Sequence, residues 1–145
     1  MSTISAGAAS HLDDQRWTPE ELGTGPVSVE PCKSPEYFDR ERETIFKHAW
    51  LNVGRMEEIP NPGDYFVRNI SVVNASVIVA RGQDGKVRAF HNVCSHRANK
   101  VAWDESGNCR RFTCNFHGWT FALDGELRGV PDESNFFDFE KKANG

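Results

Sequence analysis

Two short segments constrain this chain more than any other feature: "CSH" at Cys94, Ser95 and His96, and "CNFH" from Cys114 to His117. Each puts one thiol and one imidazole on a short loop, and each follows a stretch patterned like a strand. The intervening Arg97 to Thr113 is long enough to let two loop tips approach from opposite sides. A fold that brings such tips together is built from strands ending at a common edge.

Soft sulfur combined with borderline nitrogen suits either zinc or an iron–sulfur cluster. Zinc bound by two cysteines and two histidines usually takes like ligands in pairs, C-x2–4-C with H-x3–5-H, whereas here each loop is mixed. In a Rieske [2Fe–2S] centre histidines replace two cysteines on one iron, so each loop gives one ligand to each metal, and C-x-H with C-x2-H meets that demand. Cys109 opens a third option, because Cys109 and Cys114 have the C-x4-C spacing of a plant-type cluster, but that pattern then needs a cysteine where His117 stands. Completing it requires the distant Cys32. The spacing favours the mixed set Cys94, His96, Cys114 and His117, with zinc and an all-thiolate cluster as alternatives.

The rest of the sequence narrows the setting. A length of 145 residues, 38% hydrophobic and 26% charged, fits one globular domain. A net charge of -4 with no Lys/Arg-rich run excludes nucleic acid and anionic membrane surfaces as partners, since both demand a concentrated positive field. The longest apolar run, Ser71 to Ala80, is too short to span a bilayer. The amino terminus has neither the basic nor the apolar region of a secretory signal, so a cytoplasmic location is expected. There, four cysteines are poor candidates for a disulfide framework.

Along the chain, residues 1–33 read as a flexible arm without secondary structure of its own. Ser34 followed by Pro35 starts a short amphipathic helix, in which Phe38, Ile45, Phe46 and Ala49 recur at helical spacing. Strands are predicted over "WLNVGR", "NPGDYFVRNI", "ASVIVAR" and "VRAFHNV", with the turn "GQDG" before the last. "GWTFAL" and "ELRGV" flank Asp124-Gly125, which predicts a type I′ hairpin. The fold class expected is all-β: an antiparallel domain over 34–131 with two metal-binding loops and a leading helix. Residues 132–145 read as a linker, and no internal repeat is evident. His11, His48 and His91 read as surface or strand-end residues, and Cys32 and Cys109 as small free thiols, more often buried filler than reactive.

"NVCSHR" and "FTCNFHGW", together with the preceding helix and "WLNVGR" and the following "LDGELRGVP", resemble the amino-terminal Rieske domain of the large (α) subunit of bacterial aromatic-ring-hydroxylating oxygenases. The resemblance covers Pro35 to Pro131. It implies that Cys94 and Cys114 bind one iron of the cluster and His96 and His117 the other. Ala98 departs from the glycine common in the family after "CxHR", and Asn115 from a frequent proline. Gly118 is expected either to bring backbone N–H groups close to a bridging sulfide or to serve the turn, and Trp119 to shield the cluster. Unlike the similar cytochrome-complex proteins, this chain has no extra loop cysteines and no serine donor to the cluster. Fewer donors to sulfur imply a potential at the low end of the Rieske range, on the order of −150 mV.

In the family the cluster passes electrons to a mononuclear Fe(II) in a second domain, held by two histidines and a carboxylate. Once His96 and His117 are assigned, no such pair remains here, so the chain is expected to stop after the cluster domain. The resemblance further implies a reductase or ferredoxin as electron donor, association with the catalytic domain of the full-length subunit, and a homotrimer or a hetero-oligomer with a small subunit. A free-standing ferredoxin-like carrier is the competing reading, and a zinc-stabilised module the third.

Overall fold

The computed structural model describes residue 23 and residues 25–143, which fall into two units divided between residues 38 and 39. The arm expected over 1–33, with His11, lies mostly outside the described residues. Its described end departs from expectation by forming a one-turn helix, α1 (Glu30–Lys33), on which Cys32 is exposed rather than buried. The next helix, α2 (Pro35–Glu41), starts as predicted: the Tyr37 N–H donates to Ser34 Oγ at 3.1 Å, and Pro35 in the first turn forfeits no hydrogen bond.

Within the second unit the helix ends sooner than the apolar spacing suggested. Residues Arg42–Phe46 open into a π-helical turn, with the Lys47 N–H reaching Arg42 O at 3.1 Å. Neither segment buries a residue, and Ile45 is exposed. What anchors the turn is polar: Arg42 Nε donates to Val72 O at 3.0 Å. "WLNVGR" forms no strand either. Val53 packs against Ile59, Phe66 and Val79, so the segment's alternation serves to cover a sheet face rather than to extend a ladder.

Two antiparallel sheets carry the domain. The first contains β1 (Asp64–Ile70), β2 (Ala75–Arg81), β3 (Val87–His91) and β4 (Ser106–Asn108) in the order β3-β2-β1-β4. The second contains β5 (Arg111–Thr113), β6 (Thr120–Ala122) and β7 (Leu127–Gly129) in that order. Register pairs Val67 with Ile78 and Tyr65 with Ala80 on one face, and Phe66 with Val79 on the other. The period of two thereby sorts the first sheet: Val67, Ile78 and Ala80 join Phe112, Trp119, Leu123 and Leu127 in the main core, while Phe66 and Val79 join Ile59 behind. Tyr65 and Phe112 lock the sheets edge to face, centroids 5.1 Å apart.

Two tight turns lie at the ends of β3 and β6 opposite to those that lead to the cysteine loops, and they share one sequence motif. Asp84-Gly85-Lys86-Val87-Arg88 and Asp124-Gly125-Glu126-Leu127-Arg128 share the pattern Asp-Gly-x-x-Arg. In the first, Gly85 N–H donates to Gly82 O at 2.9 Å and Gly82 N–H to Lys86 O at 2.8 Å; in the second, Gly125 N–H donates to Ala122 O at 3.0 Å and Ala122 N–H to Glu126 O at 2.9 Å. Only the glycines take positive φ, +76° and +93°. The hairpin at Asp124-Gly125 is therefore a three-residue loop ending in a bulged glycine, not the predicted type I′ pair. The extra loop residue, Leu123, is buried in the core. Arg88 clasps Asp84 through two bonds of 3.0 and 2.8 Å, and this contact, followed by the Lys86 N–H, holds the Asp84 carboxyl well below the usual carboxylate range.

Candidate metal centre

Each sheet contributes one loop. Cys94 to Asn99 follows β3 of the first sheet, and Cys114 to Trp119 joins β5 to β6 of the second. Although their histidines stand at different offsets, the loops share one hydrogen-bond frame. Cys94 N–H donates to Asn99 O at 2.7 Å and Ala98 N–H to Cys94 O at 2.9 Å; Cys114 N–H donates to Trp119 O at 2.8 Å and Gly118 N–H to Cys114 O at 2.9 Å. The fifth residue of each frame is left-handed, Ala98 at φ +57° and Gly118 at +75°. Gly118 thus spends its N–H inside the loop, which assigns it to the turn rather than to a sulfide. A Cβ there would also meet Pro131 Cγ at 2.9 Å.

The same frame aims backbone donors at both sulfurs. The N–H groups of His96 and Arg97 serve Cys94, and those of Phe116 and His117 serve Cys114. Both thiols are 2% exposed. Burial pushes the Cys94 thiol up, against the pull of its two N–H donors. Burial acts in the same sense on Cys114, but Phe116 N–H, the Asn99 amide, His117 N–H and the Cys94 thiol together outweigh it and hold Cys114 below the ordinary thiol range. Asn99 Nδ2 lies 3.5 Å from Cys114 Sγ and 3.0 Å from Asn115 Oδ1, bridging one loop to the other.

On the same two loops the imidazoles of His96 and His117 meet edge to face, ring centroids 4.7 Å apart. Their surroundings differ. His96 is half-buried, stacked on Trp119 at 4.8 Å and 12°, with the Phe136 ring edge-on at 6.4 Å. Desolvation there, followed by the neighbouring charges of His117 and Arg97, pulls the His96 pKa down. His117 is exposed and touches the tilted ring of Phe116. Phe139 packs on Trp119 at 5.4 Å, so the aromatic run after Pro131 folds back onto this end of the core. Trp119, 4% exposed, is both shield and core.

The first loop is held in place by Asn92. Its buried amide donates to Ala102 O at 2.8 Å and accepts the N–H groups of Val101 and Ala102 at 3.0 and 2.8 Å. This cross-brace fixes the start of the first loop against the strand-like stretch that leaves it. An asparagine directly after a strand and directly before "VCSH" was the only signal in the sequence.

Chemically, two buried sulfurs supplied with four backbone N–H donors, and two imidazoles on the same loops, fit a two-iron cluster, in which each iron takes two protein ligands. Cys109 stays apart, half-buried against the core with its thiol pushed up by burial, and Cys32 is remote in sequence and exposed. His91 and His48 are exposed and lie outside the loops.

Residues 49–140 match the model of the Rieske [2Fe-2S] domain, and the chain belongs to that family. It is 44% identical over 112 residues to the large oxygenase component of the naphthalene 1,2-dioxygenase system of Pseudomonas aeruginosa, and 40% identical over 111 residues to the glycine betaine monooxygenase oxygenase subunit of Chromohalobacter salexigens. The first alignment covers 76% of this chain and 24% of the relative, the second 77% and 24%, so the chain spans about a quarter of the length of these relatives. Among solved structures, the naphthalene 1,2-dioxygenase from Rhodococcus sp. bound to indole superposes with a TM-score of 0.75 at 38% identity, covering 81% of this chain and 27% of that one. A quaternary ammonium Rieske monooxygenase gives 0.76 at 32%, covering 82% and 33%. The all-β fold expected from the sequence is that of the part of these structures that the chain covers. Among the described residues no helix is long and apolar enough to cross a membrane.

Proposed function

We propose that this chain is the one-electron relay of an oxygenase that hydroxylates an aromatic substrate, with Cys94 and Cys114 holding one iron of a [2Fe–2S] cluster and His96 and His117 the other. The observation that carries this reading is the pairing of like ligands: two loops of equivalent backbone frame place thiol beside thiol and imidazole beside imidazole. When bound, the cluster supplies a site that gains and loses single electrons. The chain's own groups do the rest. The N–H groups of His96, Arg97, Phe116 and His117 compensate negative charge on the sulfurs, while Trp119 and Phe136 keep water from the His96 side. His117, open to solvent, is the edge at which an electron leaves.

The recipient in this reading is a mononuclear iron in a further domain, and the donor is a reductase or ferredoxin. Association as a trimer, or with a small subunit, follows the family resemblance. An aromatic substrate is favoured over a quaternary ammonium one by the higher identity to the naphthalene relatives. A cytoplasmic location suits four unpaired thiols. The domain limits proposed are 34–131 for the cluster domain, with 132–145 leading onward. EPR of the iron-loaded chain tests the ligand set: Cys109→Ser should keep the reduced-cluster signal and Cys114→Ser should abolish it. Loss of the signal in Cys109→Ser, or its survival in Cys114→Ser, overturns the assignment.

A further inference from the structure

We infer that Asn99 is a positioning and tuning residue for the centre: its side-chain amide ties the first loop to the second and donates into the Cys114 sulfur, favouring the reduced state. The inference rests on the ligand set proposed above. Its carboxamide nitrogen has three acceptors within reach, Cys114 Sγ at 3.5 Å, Asn115 Oδ1 at 3.0 Å and Lys100 O at 3.0 Å. Two N–H bonds shared among them leave the nitrogen no freedom to turn away. Apart from the contact between the two candidate ligand thiols themselves, the other donors described above are backbone groups, which any sequence with this loop frame supplies. The Asn99 amide reaches a candidate ligand sulfur from the opposite loop without being a candidate ligand itself, so its presence depends on which residue stands there.

Asn115 is the partner that makes the bridge. A proline at this position, frequent in the family, offers no side-chain acceptor, and Asn99 would then lose its hold across the gap. Asn99 and Asn115 therefore have a joint use. A donor to a ligand sulfur acts on the redox couple in one direction, because reduction adds negative charge and a hydrogen bond to a charged acceptor is stronger than one to a neutral acceptor. Removing it disfavours reduction.

The test is an EPR-monitored redox titration, at one fixed pH, of the full 145-residue chain loaded with iron and sulfide. Asn99→Leu keeps the approximate volume and removes both donors. It should lower the reduced-to-oxidised ratio at a given ambient potential by about tenfold, a fall of about 59 mV in midpoint for a one-electron couple. Asn115→Ala breaks the bridge but leaves the donor to Cys114. It should hold the midpoint near that of the parent while iron loss to a chelator speeds up several-fold. An unchanged midpoint in Asn99→Leu with two irons per chain still bound overturns the inference, as does an equal fall in both variants, which assigns the effect to loop tethering alone. Should Asn99→Leu fail to load, Asn99→Asp, which replaces the donor by a carboxylate, must lower the reduced-to-oxidised ratio at a given ambient potential by more than tenfold; a parental midpoint refutes the role. Failure of the underlying ligand assignment is separately visible, since the Cys114→Ser chain then keeps its signal whatever Asn99 does.

Discussion

Asn92 carries a buried amide at a position where strand patterning gives no reason to expect one, and it pairs with three backbone groups just beyond the first loop. Truncation to alanine strands two N–H donors and one carbonyl in a dry site, each costing on the order of 1 kcal/mol or more. Asn92→Ala is expected to lose about 3 kcal/mol in urea unfolding followed by tryptophan fluorescence. A loss below about 1 kcal/mol would mean that water replaces the amide, which the 2% exposure of Asn92 argues against. Residues of this type were illegible in the sequence for a physical reason. Cys94, His96, Cys114 and His117 announce themselves because few uses exist for thiol and imidazole at short spacing, whereas asparagine is common in every turn and its role depends on what the fold brings within 3 Å.

At the scale of elements, the two loops are one structural idea written twice, with a different residue at the left-handed position. Ala98 is exposed and bears the conformational strain of an L-residue at φ +57°; Gly118 at +75° does not, but lies against Pro131. Opposite signs follow for opposite substitutions. Ala98→Gly should stabilise the chain by about 1 kcal/mol, and Gly118→Ala should destabilise it by about 2 kcal/mol, both read as shifts in urea midpoint at constant m value. Equal effects at the two sites would show that the shared frame does not govern them. Strands β1, β2 and β3 and the Ser34 cap were legible because period-two alternation and capping chemistry are local. The helix after Glu41, the supposed strand at "WLNVGR" and the type I′ turn were misread because each depended on a partner: polar anchoring by Arg42, a sheet face needing cover, and a core needing Leu123.

Beyond single elements, the decisive feature is that the two loops belong to different sheets, so a group bound by both ties the sheets together there, while Tyr65 and Phe112 tie them at a second point. Removing the cluster therefore removes a link that only the folded state can make. For a ligand bound at a thousandfold excess over its dissociation constant this linkage is worth about 4 kcal/mol, and a domain of this size shifts its midpoint by roughly 4 °C or more per kcal/mol. The iron-stripped chain should unfold at least about 15 °C below the loaded one by circular dichroism. Hydrogen exchange should loosen residues 94–99 and 114–119 together, with the Asp-Gly-x-x-Arg turns little changed. Loosening of one loop alone would contradict a shared group.

The sequence by itself determined the chemistry and the class. Two mixed cysteine and histidine loops after alternating strands admit few centres, because ligand type is a property of residues and needs no coordinates. Only the tertiary structure decided how the loops meet and what surrounds them. The common backbone frame, the amide of Asn99 reaching Cys114, and the fold-back of Phe136 and Phe139 onto Trp119 and His96 all join residues distant along the chain. Such contacts depend on sheet register and packing rather than on any local pattern.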